Sequence, residues 1–220
     1  MSPGQKATHG KSALGRSVIV LAGEDSNDRK VVRELISELC PGLGSKLIEI
    51  RDSVRLKAAT PGKLDERVRV LVGKAKAGAA RERAALSGIV VHEDLDAVTG
   101  TEYAVTRQRL RTAFERQAPC PSAVALAAWE TEAWLLLFPE AFAAVRAGWK
   151  VPTSLIGRDT GKLRNPKEEL HRRLGSPRYR ESDAVEIMRA ARQQGLMRKP
   201  ITGSNGSYED FVADLKPWSQ

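Results

Sequence analysis

Cysteine is scarce in this chain: there are two in 220 residues, Cys40 and Cys120, each beside a proline. Neither has a second cysteine or a histidine at ligand spacing. That argues against a zinc site and leaves no disulfide framework, so a reducing cytoplasm is the default compartment. Long apolar runs are missing too. The longest, around residues 133–138, is far short of the roughly 20 residues a helix needs to cross a bilayer. The first 16 residues, MSPGQKATHGKSALGR, are basic and polar, and the short strand-like run after them lacks a small-residue cleavage site. No secretory signal is expected there; a disordered basic tail over 1–16 is. There is no internal repeat and no low-complexity tract.

What remains is an ordinary globular composition, 41% hydrophobic and 29% charged. The length suits one α/β domain with an extension, or at most two small domains. The formal net charge of +9 favours an anionic partner, nucleic acid first, although a solvated arginine-rich surface gives the same number. Two basic tracts stand out, at 51–83 (from Arg51, Arg55 and Lys57 to Arg81 and Arg83) and at 158–180 (from Arg158 and Lys162 to Arg178 and Arg180).

The apolar pattern alternates between strand and helix. Residues 18–22 form a continuous apolar run, a buried strand, followed by Gly23, the capping candidates Ser26, Asn27 and Asp28, and helical spacing through Val31, Val32, Leu35, Ile36 and Leu39. KLIEI reads as a second strand, 63–80 as a helix, SGIVVHEDLD as a third strand, 101–117 as a helix, SAVALAAW as a fourth strand and ETEAWLLLF as the start of a fourth helix. Alternation of this kind predicts a mostly parallel sheet of about four strands flanked by helices. The expected organisation is an α/β domain over 17–147 and a helical C-terminal extension over 148–220, with helices near 165–175 and 182–194 and a short terminal one in YEDFVADL.

Acids gather where the strands end. Glu24 and Asp25 follow strand one; Glu93, Asp94 and Asp96 follow strand three; Glu130 and Glu132 follow strand four. Each group alone has a plain role as a helix-start acid or a solvated turn. Together, if strands one, three and four are neighbours, they converge at the carboxyl edge of the sheet, where open parallel sheets bind ligands. Crowded carboxylates repel, and a divalent cation removes the conflict. An all-oxygen ligand set selects Mg²⁺ or Mn²⁺ over zinc. His92, alone on its strand, reads as a packed or hydrogen-bonded core residue.

GEDSND after strand one, EDLD after strand three and ETEAWLLL after strand four resemble the Toprim-type catalytic domains of topoisomerases, bacterial primases, overcoming-lysogenization-defect nucleases and ribosomal RNA maturases. The closer likeness is to small stand-alone bacterial Toprim-like proteins with a GE, an aspartate four residues on, a DxD and an EAW; here these are Gly23-Glu24, Asp28, Asp94/Asp96 and Glu132-Ala133-Trp134. Asn165-Pro166-Lys167 and Tyr179-Arg180 match that group's later motifs. The likeness spans about 17–195. It implies a Toprim-like fold with Glu24, Asp94 and Asp96 as catalytic residues, and Glu24, Asp94, Asp96 and Glu132 as ligands to Mg²⁺ or Mn²⁺. Asp28, Arg164, Lys167 and Arg180 become substrate contacts. Many Toprim domains carry a further acid after DxD; this chain has Val98.

The function these readings imply is a metal-dependent nuclease acting on nucleic acid, in a bacterial defence (phage defence) or repair system, with a possible partner protein from the same system and no membrane association. The alternative is a non-catalytic Toprim-like module that binds nucleic acid or protein. A receiver-type phosphorylation switch ranks well behind both, because no fifth strand with a lysine end follows.

Overall fold

The computed structural model describes residues 16–218; the tail expected over 1–16 lies, but for Arg16, outside them. β1 (Ser17–Gly23), α1 (Ser26–Leu39), β2 (Lys46–Ser53), α2 (Pro61–Arg81), β3 (Ala85–Asp94), α3 (Thr101–Gln117) and β4 (Ser122–Ala127) alternate as the apolar pattern requires. Then come α4 (Glu132–Leu135), α5 (Pro139–Val145), α6 (Pro166–Arg173), α7 (Glu181–Gln193) and α8 (Gly206–Leu215). The four strands pair in parallel, in the order β2-β1-β3-β4. This is an α/β fold with a four-stranded parallel sheet flanked by helices. No helix among the described residues is long and apolar enough to cross a membrane.

Period two sorts the strand side chains between the faces. Ile19, Leu21, Val90, Ala123, Ala125 and Ala127 pack with α1 and the C-terminal helices. Val20, Ala22, Ile89, Val91, Val124 and Leu126 pack with α2 and α3. The extension beyond residue 147 shares the first of these cores: Trp149, Leu170, Tyr179, Ile187 and Met188 belong to the same cluster as Ile19 and Leu21. The ETEAWLLLF segment differs from expectation. It gives only the single turn α4, and a separate helix starts at Pro139, because proline donates no backbone N–H and disfavours helical backbone in the residue before it.

β4 is an edge strand, and α8 covers it. The backbone N–H of Val124 donates to the Asp214 carboxylate at 3.2 Å, and that of Ala128 to Ser207 Oγ at 3.0 Å. Side chains of a helix thus take edge donors that would otherwise invite another strand. On the other side, the strand order fixes where a ligand would bind. From β1 the chain first steps outward to β2, then crosses to β3 on β1's other side. The crevice between the carboxyl ends of β1 and β3 is the topological switch point, the preferred ligand position in such sheets.

Candidate metal centre

At the end of β1 the chain enters α1 through Glu24 and Asp25. Asp25 caps the helix, its carboxylate accepting from the backbone N–H groups of Asn27 and Asp28. This brings Asp28, in the first turn of α1, up against β3. Gly23 permits the close approach: a Cβ there would stand 3.0 Å from Arg29 Cγ and 3.2 Å from His92 Cβ. The buried Arg29 guanidinium donates to the Gly23 carbonyl at 3.1 Å and holds the turn.

The last residues of β3 alternate. His92 and Asp94 face α1 and α4; Glu93 faces the β2–α2 loop. His92 is fully buried. Its Nε2 lies 2.9 Å from Thr131 Oγ1 and 3.5 Å from Asp94 Oδ1, while its Nδ1 lies 3.8 Å from Asp28 Oδ2 and has no hydrogen-bond partner. Burial pushes the His92 pKa down, against the pull of Asp28, Asp25 and Glu24. Burial thus favours the neutral ring, the form that ligates metals. Asp94 Oδ1 accepts from the Thr131 backbone N–H at 3.2 Å. Burial first, and then the charges of Asp28, Glu132, Glu130 and Glu24, hold the Asp94 carboxyl well above the usual carboxylate range. Among the described residues no lysine or arginine pairs with that carboxylate.

One ligand atom from each of Asp28, His92 and Asp94 lies within 4.8 Å of the other two. Ligand bonds of about 2.0–2.2 Å place two donors on one ion up to roughly 4.3 Å apart, so the three atoms lie close to ligand range; the 3.8 Å from Asp28 and the 3.5 Å from Asp94 run to different ring nitrogens, only one of which can bind a given ion. The unpartnered buried Nδ1 and the crowding of acids around Asp94 both fit a cation, and these three residues can hold a metal ion. The set mixes oxygen with nitrogen, where the sequence suggested oxygen alone.

The other candidate residues sit around this triad. Glu24 pairs with the exposed Arg55 at 3.6 Å. Asp96 is outside the triad: its backbone is left-handed (φ 61°), and its largely exposed carboxylate accepts from Lys57 Nζ. The reason is the pairing of the strand ends. Leu95 N–H donates to the Ala127 carbonyl, Asp96 N–H to that of Trp129 and Trp129 N–H to that of Ala97, which closes the two loops together and turns Asp96 outward. Trp129 takes the same left-handed backbone at φ 62°, uncommon for so large a side chain. Glu132 is also outside the triad. It is buried and accepts from Tyr179 Oη at 2.9 Å. Burial pushes its carboxyl up to about 7, against Lys167 and the Tyr179 hydroxyl.

Lys167, in the first turn of α6, lies 3.5 Å from Glu130 and 3.0 Å from Glu181. Burial works against its charge, but the Glu181 hydrogen bond and the charges of Glu132 and Glu130 outweigh it, and its pKa is raised. Arg164 and Arg180 are exposed and carry no ion pair among the described residues. Asp28, expected to touch substrate, lies in the triad itself. Beside the centre, a groove of about 780 Å³ opens between the end of β2 and α2, lined among others by Arg55, Lys63, Arg67 and Lys74.

His92 is the residue that sequence reasoning set aside. Its signal was the spacing His92-x-Asp94 on a strand, which puts both on one face. Comparison with protein-family models, with curated proteins and with solved structures finds no match to this chain.

Proposed function

We propose that this protein is a metal-dependent phosphodiesterase acting on nucleic acid, with its centre at the carboxyl ends of β1, β3 and β4. The observation that carries the reading is the half-buried Asp94, set among acids from three adjacent strand ends and clustered with Asp28 and His92. The Toprim-like motif order supports it, as does the net charge of +9 on a chain with an acidic centre. A divalent cation at Asp28, His92 and Asp94 would supply Lewis-acid stabilisation of a phosphoryl oxygen and lower the pKa of water. The imidazole in the set favours Mn²⁺ over Mg²⁺.

The chain's own residues account for the rest. Glu132, with a carboxyl near 7, is poised to hold or release a proton close to neutral pH. Tyr179 keeps that carboxyl oriented through its hydroxyl. Glu24, at the β1 end beside Arg55, is a second acid/base candidate. Arg164 and Arg180, exposed and without ion pairs among the described residues, are free to contact phosphates, which positions a substrate without reading its sequence. A defence or repair setting follows from the motif likeness alone.

The second reading, a binding module without catalysis, draws on Asp96, which is engaged by Lys57 and lies outside the triad. The test is cleavage of single- and double-stranded DNA and RNA with Mn²⁺ or Mg²⁺, beside Asp28→Ala and Asp94→Ala. Cleavage that either variant reduces at least about 10³-fold is the expected result. Salt-sensitive binding without cleavage, unchanged in the variants, would leave the binding module.

A further inference from the structure

Outside the triad, a tightly constrained cation near the centre is Lys57, in the loop between β2 and α2. Glu93 accepts from the backbone N–H groups of Leu56 and Lys57, the latter at 2.7 Å. The Arg109 guanidinium donates to the Lys57 carbonyl. These bonds fix the Lys57 backbone from both sides. Its side chain is fixed as well, with Nζ donating to the Asp94 carbonyl and to the Asp96 carboxylate. An ammonium is thus held against the main chain of one triad residue while it neutralises the acid two positions on.

We infer that Lys57 takes the place of a second divalent cation: the centre binds one metal, at Asp28, His92 and Asp94, and the Lys57 ammonium offers the second positive charge to an oxygen of the substrate phosphate. This rests on the metal-dependent phosphodiesterase reading. Two independent observations carry it. The first is the buried His92 Nδ1, unpartnered and aimed at Asp28, which marks one metal position by something other than acids. The second is the engagement of Asp96. A second dication at that carboxylate would have to approach a fixed ammonium in a partly desolvated site, where like charges repel strongly. Lysine suits the role. It is a compact charge with three rotatable donors, able to pass from the Asp96 carboxylate to a phosphate. No bond to lysine forms or breaks.

The experiment counts metals and measures anion affinity separately. Titration calorimetry with Mn²⁺ alone is expected to give one equivalent per chain in the wild type and in Lys57→Gln, and none in Asp94→Ala. The Mn²⁺-loaded protein is then titrated with thymidine 3′,5′-bisphosphate. Lys57→Gln is expected to weaken that binding at least about tenfold, the scale of one charge-assisted hydrogen bond, and Lys57→Arg to recover most of it. Two Mn²⁺ equivalents in the wild type, or equal nucleotide affinity in Lys57→Gln, would overturn the inference. Neither readout needs turnover. A protein that cleaves nothing yet binds one Mn²⁺ and loses nucleotide with Lys57→Gln refutes the nuclease and keeps the clamp, whereas cleavage with two equivalents refutes the clamp alone.

Discussion

Glu93 leaves β3 toward the β2–α2 loop; Asp94, one residue later, leaves it toward α1 and α4. Burial pushes both carboxyls up, Glu93 to about 7 and Asp94 well above its usual range. Their partners differ. Glu93 receives two backbone N–H groups that oppose its shift and give it a fixed structural task. Asp94 receives the Thr131 N–H at 3.2 Å and, more weakly, the Thr131 hydroxyl at 3.4 Å, and is otherwise ringed by acids and by His92. A raised pKa is therefore no mark of a site by itself. What separates the two is whether the neighbours already satisfy the carboxylate or leave it in want of a cation.

The largest expected effect tests that separation directly. Glu93→Ala leaves two main-chain donors, one buried and one partly buried, without their acceptor, each costing up to about 1–3 kcal/mol. For a chain of this size, with roughly 2–4 °C of melting temperature per kcal/mol, a drop of about 4–24 °C follows. Asp94→Asn keeps the Oδ1 acceptor for Thr131 and removes a crowded charge, so the metal-free melting temperature is expected to hold or rise. In exchange it loses the stabilisation by Mn²⁺, about 2.7 kcal/mol at a hundredfold excess over Kd in the wild type. Thermal melts with and without Mn²⁺ read both. Equal destabilisation in the two variants would erase the contrast.

A smaller effect is expected in the pH dependence. Glu132 sits at about 7 in the folded protein and at about 4.3 unfolded. Below the unfolded value both states hold the proton, and the contribution is complete. As the pH rises toward 7 the unfolded chain releases its proton while the folded chain keeps it, so stability is lost across that window. Glu132→Gln is expected to flatten this fall by on the order of 2 kcal/mol between pH 4.5 and 7.5, measured by denaturant unfolding in chelator. Added Mn²⁺ works the other way, since it requires its carboxylates deprotonated. A variant with the wild-type slope would place the proton elsewhere.

Much of this was legible in the chain. The run at 18–22, the helical spacing after it and the span 101–117 give β1, α1 and α3 nearly as observed, because buried strands and amphipathic helices are written in local periodicity. The gathering of acids at strand ends was legible for the same reason. The inner arrangement was not. Asp96 turns outward through a left-handed backbone and hydrogen bonds to a loop more than 30 residues on, and no local pattern encodes that. Glu132 meets Tyr179 across 47 residues. His92 was readable in principle, since it shares strand parity with Asp94, but a lone histidine in an apolar run says nothing until Asp28 is seen to face it.

The smallest effect separates two cations on one loop. Arg55 and Lys57 are two residues apart, and both pair with acids of the centre. Lys57 is anchored by Glu93 and Arg109, whereas the Arg55 side chain is 76% exposed and reaches Glu24 at 3.6 Å. An exposed pair of that kind contributes about 0–1 kcal/mol, so Arg55→Ala is expected to leave the melting temperature within about 2 °C. Its effect on nucleic-acid binding is expected to be mild and uniform across sequences, with the slope of log K against log salt falling by about 1, as for one lost phosphate contact. Binding to a labelled oligonucleotide over a salt series measures it. If Arg55→Ala lowers affinity as far as Lys57→Gln does, the loop acts as diffuse basic surface, and anchoring by Glu93 confers nothing on the ammonium that it holds.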